Sequence, residues 1–221
     1  MVWTVPFGPY VQPSYGETEG TSAHPVRCPA TDHASETMLR ALLMTSHHRP
    51  QFANLSAGHA GIGNVFQERP GKYMMLLAFA QEVLREASHL SPTQREVIAA
   101  FTSKLNGCEY CCGSHTAFAS SLGATDDDRR VIETGQIDGH PLAALLAYVR
   151  KLTLDPSTIS EADKQAVHSA GFSEDQLKDA IAVCAGFNLF NRIVEGHGIA
   201  PHTSYETATK MINAHGYDRR Y

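Results

Sequence analysis

Apolar residues recur every three or four positions along most of the chain. Met38, Leu39, Leu42 and Leu43 form one such set, and Met74, Leu77, Val83 and Leu84 a second. Val97, Phe101 and Leu105 follow, then Leu142, Leu145, Leu146 and Val149, then Leu177, Ile181, Cys184 and Phe187. This spacing gathers each set on one face of an α-helix, and the strict alternation of a half-buried strand is scarce. The pattern predicts an all-α protein. Up to about Ser35 it is absent and Pro, Gly, Ser and Thr dominate. Residues 1–35 therefore read as an irregular arm, of a kind that packs on a neighbouring subunit, ahead of a helical domain over residues 36–221.

Helix starts are marked by their caps. Ser91-Pro92-Thr93-Gln94 supplies an N-cap, a proline at the first helical position and a capping-box glutamine, and Ser173-Glu174-Asp175-Gln176 repeats the device. Leu90 and Phe172 precede the two caps as hydrophobic staples. The two starts share only Ser, Gln and one Ala over twelve positions, so a common capping solution explains them better than an internal duplication. Thr125 before Asp126, Asp127 and Asp128 reads as a third capped start, with acidic groups at the positive end of the helix dipole. Gly58-His59-Ala60-Gly61-Ile62-Gly63-Asn64 has no strand before it and no phosphate-binding lysine after it, and is expected to be a loop.

At 221 residues and 43% hydrophobic, the chain can bury a substantial core. It has no run of about eighteen apolar residues, and Met1 to Pro9 lacks a cationic stretch followed by an apolar one, so a soluble cytoplasmic protein with no membrane role is expected. A net charge of -5 without a block of Lys or Arg argues against a nucleic-acid partner. Three of the five cysteines fall within five residues, unlike the scattered pairs of a secreted disulfide framework. Cys28 lies in the Pro-rich opening, and Cys184 reads as a small buried hydrophobe in a late helix.

The cluster itself is Asn106-Gly107-Cys108-Glu109-Tyr110-Cys111-Cys112-Gly113-Ser114-His115. The helix starting at Pro92 should end at Leu105, with Asn106-Gly107 in a left-handed stop and a new helix starting at or near Cys108. Cys108 and Cys111 then share the opening turn, where free N–H groups and the dipole are expected to lower a thiol's pKa from about 8.5. His115 lies one turn beyond Cys111 on the same face. If the two helices fold back antiparallel, Glu96 sits about 16 Å before the turn and His115 about 12 Å after it, nearly level. The geometry suggests a relay in which Glu96 holds His115 and His115 takes the proton from Cys111. Zinc held by Cys108, Cys111, Cys112 and His115 is the alternative, against which no second cysteine pair stands ready to complete a site. Among the other histidines, His47 and His48 read as caps of an early helix. His197 and His202 flank a Gly- and Pro-containing turn suited to a substrate or subunit contact.

Glu96, Cys108, Cys111 and His115 stand at the spacing of the AhpD-like alkyl hydroperoxidases, within the carboxymuconolactone decarboxylase superfamily. Leu90-Ser91, Asn106-Gly107-Cys108, Tyr110-Cys111 and Phe187-Asn188-Leu189-Phe190-Asn191-Arg192 resemble its peroxidase-related branch, over about residues 36 to 200. The resemblance implies an AhpD-like helical bundle with the CxxC at a helix N-terminus, assembled as a trimer or hexamer, that reduces organic hydroperoxides without a bound cofactor. It implies that Cys111 is the deeper, peroxide-attacking thiol and Cys108 the more exposed, resolving one, with Glu96 and His115 as proton relay and a lipoyl or thioredoxin-type dithiol as electron donor. Where well-known members have a histidine before the second cysteine, this chain has Tyr110, whose phenol is suited to donate to a peroxide oxygen. Cys112 is expected to pack in the interior. Two rival functions fit the same motif less closely: a thiol-disulfide reductase or adaptor serving another peroxidase, and a non-redox decarboxylase-like or biosynthetic assembly protein.

Overall fold

Glycine and serine at a few junctions decide where the helices start and stop. In the computed structural model, which describes residues 61–217, the order is α1 (Ile62–Glu68), α2 (Pro70–Leu84), α3 (Pro92–Leu105), α4 (Glu109–Ser121), α5 (Asp126–Thr134) and α6 (Ala143–Leu154). A 3-10 turn (Pro156–Thr158) leads to α7 (Glu161–Ser169), α8 (Glu174–His197) and α9 (Glu206–His215). The described residues form helices and no strand, as the spacing predicts. Cys28, the arm, the Met38–Leu43 pattern and His47-His48 lie outside them. None of the described helices is long and apolar enough to cross a membrane.

All three expected caps form. Ser91 Oγ accepts from the Gln94 N–H at 3.1 Å, and Gln94 Oε1 accepts from the Ser91 N–H at 2.8 Å. Ser173 with Gln176 and Thr125 with Asp128 make the same reciprocal pair. Such caps contribute about 1 kcal/mol each by satisfying donors that the first turn leaves free. Residues 58–60 of the glycine-rich segment lie outside the described residues, and its remainder departs from expectation, because Ile62, Gly63 and Asn64 open α1 rather than a loop. Burial of Val65 and Phe66, 1% and 2% exposed, outweighs the weak helix propensity of Gly63 and Asn64.

The central element is α3, which packs against α2, α4, α5, α6 and α8. Every residue from Arg95 to Ser103 is buried, so this helix is enclosed all round rather than on one stripe. Four of those nine residues are polar: Arg95, Glu96, Thr102 and Ser103. Arg95 answers its burial by donating to the Val83 and Glu86 carbonyls, tying the end of α2 to the start of α3. Ser103 Oγ donates to the Ala99 carbonyl and accepts from Asn191 Nδ2 at 2.9 Å.

The link between α3 and α4 is a short turn, residues 106–108. Gly107 takes the left-handed conformation at φ 71°, and the Cys108 N–H closes back on the Ser103 carbonyl at 2.9 Å. Asn106, just before it, donates to Asn191 Oδ1 at 2.8 Å and Asn188 Oδ1 at 3.2 Å on α8. The asparagines of the Phe187–Arg192 stretch thus anchor the turn that presents the cysteines. Asn191, 1% exposed, joins both Ser103 and Asn106. Replacing it leaves buried polar groups without partners, so Asn191→Ala should cost about 2–3 kcal/mol in denaturant unfolding. A loss below about 0.5 kcal/mol, the level of an ordinary surface change, would remove this anchor from the account.

Candidate active site

The turn at Gly107 delivers Cys108 as the N-cap of α4, with Cys111 in the first turn and His115 one turn later on the same buried face. Both cysteines are free thiols. Cys108 is 0% exposed and Cys111 3%, so in this chain Cys108 is not the more open of the two, as the family pattern had implied. Its acidity also departs from expectation. A hydrogen bond to Cys111, then burial, then repulsion from Cys111 and from Glu195 on α8 push the Cys108 thiol up, despite its place at a helix start.

His115 meets the carboxylate of Glu96 across the hairpin, Nδ1 to Oε2, at 2.6 Å. Glu96 is fully buried. Its other oxygen, Oε1, receives Arg85 Nη1 at 2.6 Å and the Tyr217 hydroxyl at 2.8 Å. Burial alone would raise the Glu96 carboxyl, but His115, Arg85 and Tyr217 together outweigh it and hold the group below its usual range. A carboxylate can only accept, so Nδ1 of His115 donates and, in the neutral ring, Nε2 carries the lone pair. The imidazole is wedged edge-on between Phe187, at 4.4 Å between centroids, and Phe118, at 5.1 Å. The Tyr217 ring lies nearly parallel to it, 6.3 Å away and tilted by 14°.

Arg85 and Tyr217 escaped the sequence reading. Arg85 follows the last residue of α2 and belongs to no spacing pattern, and Tyr217 is 121 residues from Glu96. The Gly216-Tyr217 step was the one available signal, since a glycine after a helix end often turns the chain back onto the fold. Here Gly216 is left-handed at φ 70°, and the Tyr217 N–H that follows donates to Gln81 Oε1 at 2.8 Å.

Aromatic groups surround the thiol side of the hairpin. Tyr110 stands edge-on to His202 at 5.1 Å and to Tyr205 at 6.0 Å, and its hydroxyl accepts from the Ile62 N–H at 3.4 Å. Burial pushes the Tyr110 phenol up to about 12, with the neighbouring Cys111 and Cys108 adding to it. Tyr205 is raised too, mainly by burial and further by all three clustered cysteines. Its ring lies so close to the backbone of α4 that a Cβ on Gly113 would come within 2.8 Å, which only glycine avoids. Of the two late histidines, His202 joins this cluster, whereas His197 bonds through Nδ1 to the Ile193 carbonyl of its own helix at 2.8 Å.

Cys112 is half-buried at the core margin, and burial raises its thiol. Cys184 is fully buried, 3.3 Å from Thr153 Oγ1, as a packed side chain should be. Among the described residues no group of three or more His, Cys, Asp or Glu is arranged to hold a metal ion.

The charge on Glu96 should be visible in stability. Glu96→Gln strands Arg85 and is expected to cost about 3–5 kcal/mol at neutral pH, the range for removing one partner of a buried ion pair. A depressed carboxyl contributes fully above its unfolded value of about 4.3 and loses that contribution as the pH falls through its lower folded value, so the gap should shrink in acid. Denaturant curves of both proteins at pH 7 and near pH 3 measure this; a gap that is constant with pH would mean Glu96 is folded in neutral form.

Residues 71–138, which span α2, the hairpin and all four expected site residues, match the carboxymuconolactone decarboxylase family. No curated protein matches the chain. Among solved structures, an uncharacterized peroxidase-related protein from Silicibacter sp. TM1040 is similar at 21% identity and a TM-score of 0.60, over 82% of this chain and 91% of that one. An uncharacterized peroxidase-related protein from Ralstonia eutropha JMP134, described as an alkylhydroperoxidase AhpD core, is similar at 22% identity and 0.60, over 82% and 95%. A protein of unknown function from Agrobacterium tumefaciens, a putative antioxidant defence protein AhpD, is similar at 16% and 0.53, over 64% and 97%. At these identities the likeness establishes the fold. The family match is confined to the segment that carries the cysteine hairpin, and the solved structures share the all-helical fold around it.

Proposed function

We propose that the chain is a thiol-dependent peroxidase acting on hydroperoxides, most suitably organic ones, through Cys111 and Cys108 with Glu96 and His115 as proton relay. The Cys111 sulfur attacks the distal oxygen of the hydroperoxide, the O–O bond breaks, and the alkoxide leaves as an alcohol with the proton that His115 passes on. Cys111 is then a sulfenic acid. The Cys108 sulfur displaces its oxygen as water, forming the Cys108–Cys111 disulfide, and an external dithiol of lipoyl or thioredoxin type reduces that disulfide and is itself oxidised.

One observation carries this reading: Cys108 and Cys111 lie together at the start of α4, while the imidazole one turn on is fixed by a buried carboxylate. The raised Cys108 thiol supports Cys111 as the attacking sulfur and Cys108 as the resolving one. The burial of both sulfurs favours peroxide over disulfide exchange as the primary reaction. A hydroperoxide has to bring only one oxygen to a sulfur, whereas a protein disulfide must align two sulfurs with it. The names of the similar structures, peroxidase-related and antioxidant, point the same way.

Treatment with stoichiometric alkyl hydroperoxide should give a Cys108–Cys111 linkage by mass spectrometry. Cys108→Ser should stop at a sulfenic acid on Cys111, trappable by dimedone, and Cys111→Ser should lower peroxide consumption by at least about a hundredfold, the scale of losing a covalent nucleophile. A Cys111→Ser protein as fast as the parent would end this assignment.

A further inference from the structure

The segment after α9 reaches back across the fold and ends its described course on Glu96. Its path is fixed at two points. Gly216 supplies a left-handed turn that a side chain would strain, and a Cβ there would collide with Gln81. The Tyr217 N–H is then held by Gln81 Oε1. The Tyr217 side chain is half-buried, with the Arg85 guanidinium carbon 4.9 Å above its ring centroid. Burial, with the charge of Glu96 next to it, keeps that phenol protonated, so its O–H remains a donor.

We propose that Tyr217 is a positioning residue: together with Arg85 it occupies Oε1 of Glu96 and so commits Oε2 to Nδ1 of His115. A lone carboxylate can rotate and offer either oxygen to Arg85 or to His115. Two donors on Oε1, arriving from the end of α2 and from the segment after α9, remove that freedom. They also draw negative charge towards Oε1, which tunes how strongly Oε2 holds the Nδ1–H and how readily Nε2 takes a second proton. The groups facing this pair are Arg85 from the end of α2, Arg95 on the same helix as Glu96, and Tyr217; Phe118 and Phe187 close the remaining sides of the imidazole. Tyr217 touches no reacting atom, so its effect passes through Glu96 and His115. The role in turnover rests on the peroxidase reading, whereas the control over His115 does not.

The test compares the parent with Tyr217→Phe, which keeps the ring and removes only the hydroxyl. Nuclear magnetic resonance of the histidine ring nitrogens, with His115 assigned by its loss in His115→Gln, follows the imidazole in each protein. Without the Tyr217 donor, Glu96 should grip a protonated ring more strongly. His115 should therefore change to the doubly protonated form at a pH higher by about one unit, the scale of one hydrogen bond to a charged group. The acid limb of peroxide-driven disulfide formation should move up with it, slowing the reaction by up to about tenfold on that limb. Gln81→Ala, which loosens the backbone clamp and leaves the phenol intact, should shift both profiles in the same direction by less, and it carries the test if Tyr217→Phe does not fold. His115 curves that superimpose in parent and variant, at equal melting temperature, overturn the proposal. If the parent consumes no hydroperoxide, the peroxidase reading fails, and the His115 curves, which need no substrate, still decide the role of Tyr217.

Discussion

A carboxylate with no contact to water has to be balanced from inside the protein, and in this chain that requirement organises the site. Burying an ion of this kind costs several kcal/mol unless partners meet it with good geometry. Glu96 has three partners, each from a different part of the chain: Arg85 at the end of α2, His115 on α4 and Tyr217 beyond α9. The helix that carries Glu96 is itself enclosed on every side, so the charge cannot escape to the surface by a change of rotamer. Three separate segments are thereby drawn to one point, and the orientation of the imidazole is settled by the same contacts that neutralise the charge.

The thiols obey a second constraint, which is the brevity of the α3–α4 turn. Gly107 reverses the chain in the conformation that glycine adopts at least cost, and the asparagines of α8 grip the residue before it. The cysteines then sit at a helix start, yet burial and the bond between the two sulfurs outweigh the dipole for Cys108. A helix N-terminus acts on a thiol with a fraction of a charge, and a sulfur in direct contact acts at closer range in a dry surrounding. Local sequence could foresee the helix start and the nearness of the two sulfurs, but not their burial, which the surrounding helices impose.

The same division separates what was legible in the sequence from what was not. Helix starts with a reciprocal cap, such as Ser91 with Gln94, are settled by residues three apart, and they appear where the sequence puts them. The hairpin is equally local, and the near-level placement of Glu96 and His115 followed from the rise per residue along two antiparallel helices. Ile62 to Asn64 read as a loop because no strand precedes them and no phosphate-binding lysine follows, and the packing of Val65 and Phe66 against the core makes them helical instead. Arg85, Tyr217 and Tyr205 were out of reach for a different reason. Each is brought to the site by a contact between distant segments, and no periodicity in one chain records such a meeting.

The spread of these contacts along the chain also sets an order of assembly. Glu96 and His115 are 19 residues apart and belong to one hairpin, whereas Glu96 and Tyr217 are 121 apart. Closing a short loop costs less entropy than closing a long one, and a chain made from its N-terminus completes the hairpin well before Tyr217 exists. A nascent or partly unfolded molecule can therefore hold its two thiols side by side while the Glu96 carboxylate is still short of a partner. Between those two events the hairpin is formed but the Glu96 carboxylate is one hydrogen bond short of its final set.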